Sequence, residues 1–324
     1  MKIDFVIDAT CSPPPAADAE ARHATLERFI ARGDPIPFDA ADLETCLQAL
    51  FDLPREQGLP AAPLSLLGDG IEPGSDEWLR LDPVHLRADR SRLLLMPLPP
   101  DDVTPAEAET LQTALEAHFA QSGFQLVSGA AGRWYVRSPR PLELRTQPPQ
   151  ACAGALDEQH LPAGADGAEL RRLVTEAQML LHDLPLNAAR EASGKLPITG
   201  VWPWGNGHMP AIGRSRYSHA YSDDPVVRGI ARASGAEAAT LPADATALTL
   251  LPPDAALLVV CPAAGKPLAD IERNWIGPFA KQIEAGAIAE LCLLLLGSGR
   301  SIGRSITRQC LRRWWRRARL LAHA

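Results

Sequence analysis

The feature that most constrains the fold is an alternation of apolar runs and helical patterns in the last part of the chain. Short apolar runs predict strands, and apolar residues at helical spacing predict the helices between them. The predicted elements are strand Ile198–Trp202, helix Val226–Ser234, strand Ala255–Val260, helix Leu268–Ala285 and strand Ala289–Leu296. Strands that alternate with helices form parallel sheets, so the sequence predicts an α/β fold with a largely parallel sheet flanked by helices.

The first half of the chain predicts a contribution to the same sheet and a smaller separate lobe. Ile3–Ile7 is a buried-strand pattern, and helical patterns follow, whereas residues 54–75 have the composition of a loop. A capping-box start at Thr104, two apolar runs around a glycine-rich turn and a strand at Arg92–Met96 predict a small β-α-β-β unit. We therefore expect an inserted α+β lobe at residues 78–147, within a discontinuous core formed by residues 1–77 and 148–299.

Cysteine usage and hydropathy indicate the compartment. The six cysteines lie far apart without a CxxC pair, as is typical of reduced thiols. Acids within the first eight residues exclude the apolar region of a signal peptide, and the densest apolar run, Leu291–Leu296, is far below the roughly 20 residues that span a bilayer. We expect a cytoplasmic protein without a transmembrane segment.

Charge is distributed unevenly along the chain. The net charge is −7, but the last acidic residue is Glu290 and eight arginines lie between Arg300 and Arg319, so the remainder of the chain carries −15. Because neutralising nucleic-acid phosphates needs a basic surface, this acidic body disfavours nucleic-acid binding.

The arginine-rich end has a four-residue period, which predicts a basic amphipathic helix over residues 300–324 with Trp314 in its apolar stripe. We favour packing of that stripe on the acidic body of the same chain. The alternative is that the helix binds anionic lipid or nucleic acid, with Trp314 and Trp315 as interfacial anchors.

One stretch of the chain carries a distinctive series of motifs. It contains Asn187 and Arg190, then Gly194-Lys195, and then Trp202-Pro203-Trp204-Gly205-Asn206-Gly207. In this order and spacing, the motifs resemble those of the archaeal-type cofactor-independent phosphoglycerate mutases. Residues 228–235 are similar to the next helix of that family and its glycine stop.

A closer likeness is to the bacterial RpfE-type regulatory proteins, abbreviated relatives of those mutases. It is carried by Trp78-Leu79, Asp82-Pro83-Val84-His85-Leu86, Arg133-Trp134-Tyr135-Val136, Glu176–His182 and the end rich in tryptophan and arginine. Its specific part covers residues 78–237. The resemblance implies an alkaline-phosphatase-like sheet with an inserted substrate lobe.

Mutases of that superfamily transfer phosphate through a phosphorylated serine or threonine and two divalent metals held by aspartate and histidine. On this resemblance, Asp8 occupies the first ligand position, with Ala9 in place of the usual glycine, and Thr25 is a possible replacement for the nucleophile. The later ligand motifs are missing, because Val260–Lys266 stands in place of Asp-x-x-Gly-His and Gly297–Ser301 in place of an Asp-His pair. We therefore expect no metal site.

Three further side chains are candidates in an emptied catalytic site. Lys266 and Arg300 would neutralise a bound phosphate in place of the metals by charge-assisted hydrogen bonds. His85, three residues after Asp82, is a catalytic candidate, because a nearby carboxylate perturbs an imidazole. Its alternative role is that of a hydrogen-bonded structural histidine.

The positions that the resemblance assigns to substrate binding are better preserved. The candidate ligand-binding residues are Asn187, Arg190, Lys195, Trp204, Gly205 and Gly207. Arg190 could hold a phosphate bidentately, and the alternative is a salt bridge within the scaffold. The tryptophan and the glycines equally fit a role in packing the strand and its turn.

These observations lead to one main hypothesis and two alternatives. The main hypothesis is a phosphoglycerate-mutase-like protein that has lost metal-dependent catalysis and serves regulation, without a cofactor, by binding a small phosphorylated or anionic metabolite or a protein partner. The first alternative is an active 2,3-bisphosphoglycerate-independent phosphoglycerate mutase or related phosphotransferase with a rearranged site, dependent on manganese or magnesium. The second is an adaptor that binds membrane or nucleic acid through its arginine-rich tail.

Overall fold

The structure is a computed structural model that describes residues 1–10, 23–55, 58–89, 92–130, 132–263, 267–297 and 300–316. Of the predicted site residues, Lys266 lies outside the described residues, and the side chain of Arg300 does as well. The last part of the predicted tail helix, residues 317–324, also lies outside them.

The chain forms both strands and helices along its length. The strands are β1 Lys2–Asp8, β2 Asp34–Pro35, β3 Trp78–Asp89, β4 Arg92–Pro97, β5 Gln125–Ser128, β6 Trp134–Arg137, β7 Gly154–Ala155, β8 Gly200–Gly207, β9 His219–Ser222, β10 Glu237–Ala239, β11 Ala256–Pro262, β12 Glu290–Gly297 and β13 Arg300–Ile306. The α-helices are α1 Ala24–Arg32, α2 Leu43–Leu50, α3 Ala61–Gly68, α4 Pro105–Ala120, α5 Gly167–His182, α6 Pro185–Ala192, α7 Pro225–Ala233, α8 Leu268–Ile271, α9 Gly277–Ala285 and α10 Arg308–Leu311. A π-helical turn, Glu272–Ile276, joins α8 to α9, and 3₁₀ turns lie at Pro100–Asp102, Glu158–His160 and Ala245–Leu250.

The chain divides into two compact units, which we call the first unit (residues 1–58 and 212–324) and the second unit (residues 59–211). These boundaries differ from those of the predicted lobe at residues 78–147. The main reason is β8, which pairs antiparallel with β3 and brings its flanking segments into the second unit. The prediction that placed Ile198–Trp202 in the parallel sheet is therefore wrong.

The first unit is built on a sheet with the strand order β10-β9-β11-β1-β12-β13-β2. The strands from β10 to β12 are parallel to one another, and β13 and β2 are added antiparallel, so the predicted α/β fold with a largely parallel sheet is confirmed. β1 lies in the middle of the sheet, and its buried Phe5 contacts Trp275 and Phe279, with ring centroids 5.7 and 5.2 Å away.

The predicted helix over residues 300–324 is wrong in its first part, because residues 300–306 form β13 at the edge of the parallel strands. A four-residue repeat of arginine fits a strand as well as a helix, since four is a multiple of the strand period of two. Gly303 allows the close approach that this strand needs: a Cβ atom there would lie 2.7 Å from both Ile36 Cγ1 and Phe38 Cβ. Only Arg308–Leu311 is helical among the described residues of the tail.

The second unit contains an antiparallel sheet with the order β5-β6-β3-β4-β7, to which β8 is added through β3. Helices α4 and α5 cover it with an apolar core that includes Leu111, Leu115 and Leu173. The predicted loop at residues 54–75 is wrong, because it contains α3, which is buried along most of its length. A helix that is apolar all round has no amphipathic period for a sequence pattern to detect. No helix within the described parts of the chain is long and apolar enough to cross a bilayer.

Candidate functional site

The edge of the first unit's sheet at which the parallel strands end is where the resemblance places catalysis. In the register of the sheet, Asp8 lies between Pro262 of β11 and Leu296 of β12. Asp8 is half-buried, and its Oδ1 accepts hydrogen bonds from the amide and the hydroxyl of Thr10, at 3.1 and 2.6 Å. The carboxylate thus stands at the predicted edge, where it is engaged in a local turn.

Thr25 lies at the start of α1, and this helix end is occupied by a carboxylate of the chain itself. The amides of Thr25 and Leu26 donate to Glu272 Oε1 and Oε2, at 2.7 and 3.1 Å. A helix N-terminus attracts anions because its first amides have no partner within the helix and its dipole is positive there. Glu272 therefore satisfies the donors that an anionic ligand would need.

The position of Glu272 follows from the sequence that comes after it. Pro278 has no amide hydrogen and clashes with the preceding turn, which disturbs α-helical bonding upstream of it. The helical run changes there to the π turn Glu272–Ile276, which begins at this glutamate. The predicted helix Leu268–Ala285 is confirmed as a helical run, with this local change in its hydrogen bonding.

The described side chains do not fit the two divalent metals that the resemblance implies. Two metals need several converging carboxylates and imidazoles, whereas Asp8 has Pro262 and Leu296 as its neighbours. No group of three or more His, Cys, Asp or Glu side chains is placed to hold a metal within the described ranges. Residues 264–266 and 298–299, which follow β11 and β12, read Ala-Gly-Lys and Ser-Gly in the sequence and add no such side chain. Residues 11–22, which follow β1 and include Cys11, Asp18 and Glu20, lie outside the described residues.

Arg190 of the second unit is fully buried, with 1% of its surface exposed. It donates to the carbonyl oxygen of Leu196 at 2.7 Å, to Glu107 Oε1 at 3.0 Å and to the carboxylate of Asp102. Lys195 Nζ also binds Asp102, at 3.0 Å from its carbonyl oxygen. The structure thus brings the two predicted phosphate contacts together around a carboxylate of the chain, which favours the scaffold alternative.

The ion pair lowers the pKa of the Glu107 carboxylate. Burial alone raises the pKa of Glu107, but hydrogen bonds from the Thr104 amide and from Arg190 outweigh it, so this pKa lies below its usual value. Glu107 also completes the capping box that the sequence predicted at Thr104. One carboxylate therefore both caps α4 and binds Arg190.

Asn187 is buried and acts as a clamp between two elements. Its Nδ2 donates to the carbonyl oxygens of Leu181 and Ile198, at 2.9 and 3.0 Å, and its Oδ1 accepts from the Ile198 amide at 2.8 Å. These bonds tie the end of α5 to the segment that leads into β8.

The tryptophan and the glycines of the Trp-Gly-Asn-Gly motif lie in β8. Gly205 has φ +66° and Gly207 has φ +148°, and a Cβ atom at either would lie 2.8 Å from Ala61 Cβ or Pro60 Cβ, respectively. The two glycines therefore let β8 approach the start of α3. Trp204 Nε1 donates to Asp82 Oδ2 at 2.9 Å.

His85 does not contact Asp82, so the carboxylate partner predicted for it is wrong. Both residues lie in β3, where residues three apart point to opposite faces of the sheet. The buried His85 ring instead binds the carbonyl oxygen of Pro197 through Nδ1, at 2.8 Å. A carbonyl only accepts, so Nδ1 donates, which supports the role of a structural histidine.

Sequence reasoning missed a cluster of buried charges in the second unit, which we call the arginine pocket. It is a small pocket lined by Arg80, Asp82, Gly132, Arg133 and Gln150, among others. Arg80 Nε donates to Asp82 Oδ1 at 2.8 Å, and its guanidinium lies over the Trp204 ring, 4.9 Å from the centroid. The sequence does contain a signal for this pocket, because Arg80 and Asp82 are charged residues in the otherwise apolar first half of strand β3. Buried charged residues are uncommon and therefore indicate a special role.

The second arginine of this pocket is held by a bidentate ion pair. Arg133 donates to both carboxylate oxygens of Asp69, at 2.8 and 2.7 Å, and the Tyr135 hydroxyl donates to Asp69 Oδ2 at 2.7 Å. Burial raises the pKa of Asp69, but the bonds from Arg133 outweigh that effect and the pKa lies below its usual value. Burial, the largest cause, also raises the pKa of Tyr135, which stays protonated as a donor.

Each arginine of the pocket uses only part of its donor set within the chain. Arg80 uses Nε for Asp82 and Nη1 for Ser65 Oγ, at 3.2 Å, and Arg133 uses Nε and Nη2 for Asp69. Within the described residues, Arg80 Nη2 and Arg133 Nη1 have no hydrogen-bond partner. Both arginines line the same pocket, and a guanidinium group with a free donor can form hydrogen bonds to an oxyanion.

The fold is the α/β fold of the cofactor-independent phosphoglycerate mutases, which is alkaline-phosphatase-like. The solved structure of the cofactor-independent phosphoglycerate mutase from Thermoplasma acidophilum aligns with 99% of this chain and 94% of that chain, with a TM-score of 0.51 and 18% sequence identity.

Sequence comparison indicates the same relationship. The chain is 28% identical over 203 residues to a Geobacter sulfurreducens protein named "Probable 2,3-bisphosphoglycerate-independent phosphoglycerate mutase", which covers 61% of this chain and 50% of the relative. It is 28% identical over 163 residues to 2,3-bisphosphoglycerate-independent phosphoglycerate mutase 2 of Methanothermobacter thermautotrophicus, covering 49% of this chain and 39% of the relative. The chain thus matches half or less of the length of these curated relatives. No family model matches the chain.

Proposed function

We propose that this phosphoglycerate-mutase-like protein has lost metal-dependent phosphotransfer and binds a small phosphorylated or anionic metabolite as a regulatory protein of the RpfE type. The observation that carries the proposal is the occupation of the start of α1 by Glu272, whose carboxylate takes the amides of Thr25 and Leu26. A phosphoryl group at Thr25 would have to displace a carboxylate that already holds these donors.

The positions that follow β11 and β12 support the same proposal. A two-metal site concentrates positive charge and therefore needs several anionic ligands at one point. In the aligned row Asp8, Pro262 and Leu296, only Asp8 carries a carboxylate. The chain has no aspartate or histidine in Val260–Lys266 and Gly297–Ser301, the stretches where the resemblance requires them. Lys266 and Arg300 stay candidates for binding phosphate at this edge.

The proposal assigns the anionic group of the ligand to the arginine pocket. Arg80 and Arg133 are both buried, and each has a terminal nitrogen that no described residue binds. Both arginines lie at motifs of the RpfE-type likeness: Arg80 lies between Trp78-Leu79 and Asp82–Leu86, and Arg133 begins Arg133–Val136. The proposed ligand is a small acid with a phosphate or carboxylate group, because a guanidinium binds such groups through two parallel hydrogen bonds.

A thermal-shift panel of phosphorylated three-carbon acids tests the proposed ligand class, because a ligand that binds the native state raises its stability. We expect at least one acid of the panel to raise the melting temperature of the wild type. The shift should be lost in Arg80→Gln and retained in Arg137→Gln, a control in the same unit with a half-exposed ion pair to Asp76. If no acid of the panel shifts the melting temperature, the proposed metabolite is wrong.

The alternative is an active mutase with a rearranged site. It predicts conversion of 3-phosphoglycerate in the presence of manganese and loss of that conversion with a chelator. A protein partner in place of a metabolite predicts instead that no small acid shifts the melting temperature, while a pulldown recovers a partner whose binding Arg80→Gln weakens.

A further inference from the structure

The segment Arg308–Arg316, which we call the basic-aromatic segment, is fixed to the first unit at several points. Cys310 and Leu311 are buried, and Arg32 Nη1 donates to the Leu311 carbonyl oxygen at 2.6 Å. Arg313 forms a bidentate ion pair with Asp34, with one bond of 2.9 Å. These contacts hold Cys310, Leu311 and Arg313 against the first unit, directly before the exposed Trp314 and Trp315.

This anchored segment presents two adjacent indole rings to solvent. Trp314 is 78% exposed and Trp315 is 63% exposed, and their rings meet edge to face with centroids 6.1 Å apart. The predicted packing of Trp314 on the body of the same chain is therefore wrong. The other five tryptophans are buried or half-buried. A pair of exposed apolar rings held in place indicates an interaction surface.

The charged residues of the segment that carries the two indoles are all arginines. Arg308, Arg312 and Arg316 are exposed, and no acidic residue follows Glu290 in the sequence. Within the described part of the chain, Arg308 and Arg312 form no ion pair, whereas Arg313 and Arg316 share Asp34. The surface thus combines unpaired guanidinium groups with apolar rings that carry one polar N–H each.

From these observations we propose that the basic-aromatic segment binds the surface of an anionic lipid bilayer. Indole rings favour the headgroup level, where the apolar ring and the N–H are both accommodated, and arginine binds acidic headgroups there. A short exposed segment of this kind is sufficient to contact the surface of a bilayer. A nucleic acid would follow a longer basic track, which a body with a charge of −15 does not offer.

Vesicle sedimentation with the full chain tests this proposal. The wild type should pellet with vesicles of phosphatidylglycerol and phosphatidylcholine, but not with phosphatidylcholine alone, and high salt should weaken the binding. Tryptophan emission should move to shorter wavelength on binding, because the two exposed indoles leave water. Trp314→Ala with Trp315→Ala should weaken the partition constant about tenfold or more, and Arg308→Ala with Arg312→Ala about tenfold at low salt.

The matched control is Met179→Ala with Leu250→Ala, which removes two other exposed apolar side chains, 70% and 89% exposed, and should leave vesicle binding unchanged. Thermal unfolding of every variant checks that the chain still folds. Failure of the wild type to bind, equal binding to neutral vesicles, or full binding by the double tryptophan variant would overturn the proposal. So would binding to a single-stranded oligonucleotide that depends on both tryptophans, without any vesicle binding.

Discussion

The carboxyl edge of the parallel sheet and the arginine pocket use their polar side chains in opposite ways. At the sheet edge, the donors at the start of α1 are satisfied by Glu272, and Asp8 is held by Thr10. At the pocket, Arg80 and Arg133 are each paired with one aspartate and keep a terminal nitrogen without a partner among the described residues. At the start of α1, the helix amides are bound by a carboxylate of the chain itself. At the pocket, each arginine has a donor nitrogen that no described residue binds.

This difference shows why matched residue types are insufficient to assign a site. Arg190 and Lys195 have the side chains of a phosphate site, yet both bind Asp102. Arg80 and Arg133 were less conspicuous in the sequence, yet they have donors at a pocket that no described residue uses. Whether an arginine serves the scaffold or a ligand depends on which of its donors the chain itself uses.

The largest expected effect is that of removing the Asp69 carboxylate, which binds Arg133 of the arginine pocket. Asp69→Ala leaves Arg133 buried without its partner, so we expect a loss of about 3–5 kcal/mol in the free energy of unfolding. Chemical denaturation measures it. Asp76→Ala removes the partner of Arg137, in an ion pair whose two side chains are both 46% exposed, and should cost below about 1 kcal/mol. Equal losses would remove the distinction between a buried and an exposed pair.

The contribution of the Asp69 ion pair to the free energy of unfolding should depend on pH. Because the folded pKa of Asp69 lies below its usual value, its ion pair stabilises the fold above about pH 4, the unfolded pKa. That contribution is lost as the pH falls through the folded pKa. We expect the difference in unfolding free energy between the wild type and Asp69→Asn to narrow below about pH 4. A difference that stays constant down to pH 2 would contradict the assigned ion pair.

A smaller effect is expected at the sheet edge. Glu272→Ala removes the acceptor for two amides of α1, and we expect a loss of about 1 kcal/mol, which is typical of a lost helix cap. Glu284→Ala is the control, because it removes a half-exposed acid that pairs only at 3.4 Å with Arg28 of α1. If the denaturation curves of the wild type and Glu272→Ala overlay, the Glu272 cap does not contribute to the free energy of unfolding.

The smallest expected effect is that of Asp8→Asn. The amide keeps an oxygen that can accept from Thr10, so the free energy of unfolding should stay within about 0.5 kcal/mol of the wild type. The ligand-induced thermal shift should also be unchanged, because the proposed anion binds at the arginine pocket. Loss of the thermal shift in Asp8→Asn would indicate that the ligand binds at the sheet edge and not at the arginine pocket.

Much of the fold could be predicted because its local signals agree with its packing. β1, β11 and β12 are apolar runs buried in a parallel sheet, and the capping box at Thr104 starts α4 as predicted. α3 was missed because it is apolar on every face, and β13 was mistaken for a helix because its arginine spacing fits both periods. Local pattern alone could not separate these cases.

The site was predicted less well because its partners are distant in sequence. Arg190 binds Asp102, 88 residues away, and Arg133 binds Asp69, 64 residues away. No spacing rule connects such residues. His85 and Asp82 were paired on their separation alone, and the strand places them on opposite faces.

We propose that the carboxyl edge of the parallel sheet does not catalyse metal-dependent phosphotransfer. The most direct test incubates the full chain with 3-phosphoglycerate and manganese, and follows 2-phosphoglycerate by phosphorus NMR, with an active cofactor-independent mutase as the positive control. We predict no 2-phosphoglycerate above the level of a blank without protein. Formation of 2-phosphoglycerate that a chelator abolishes and fresh manganese restores would contradict the account.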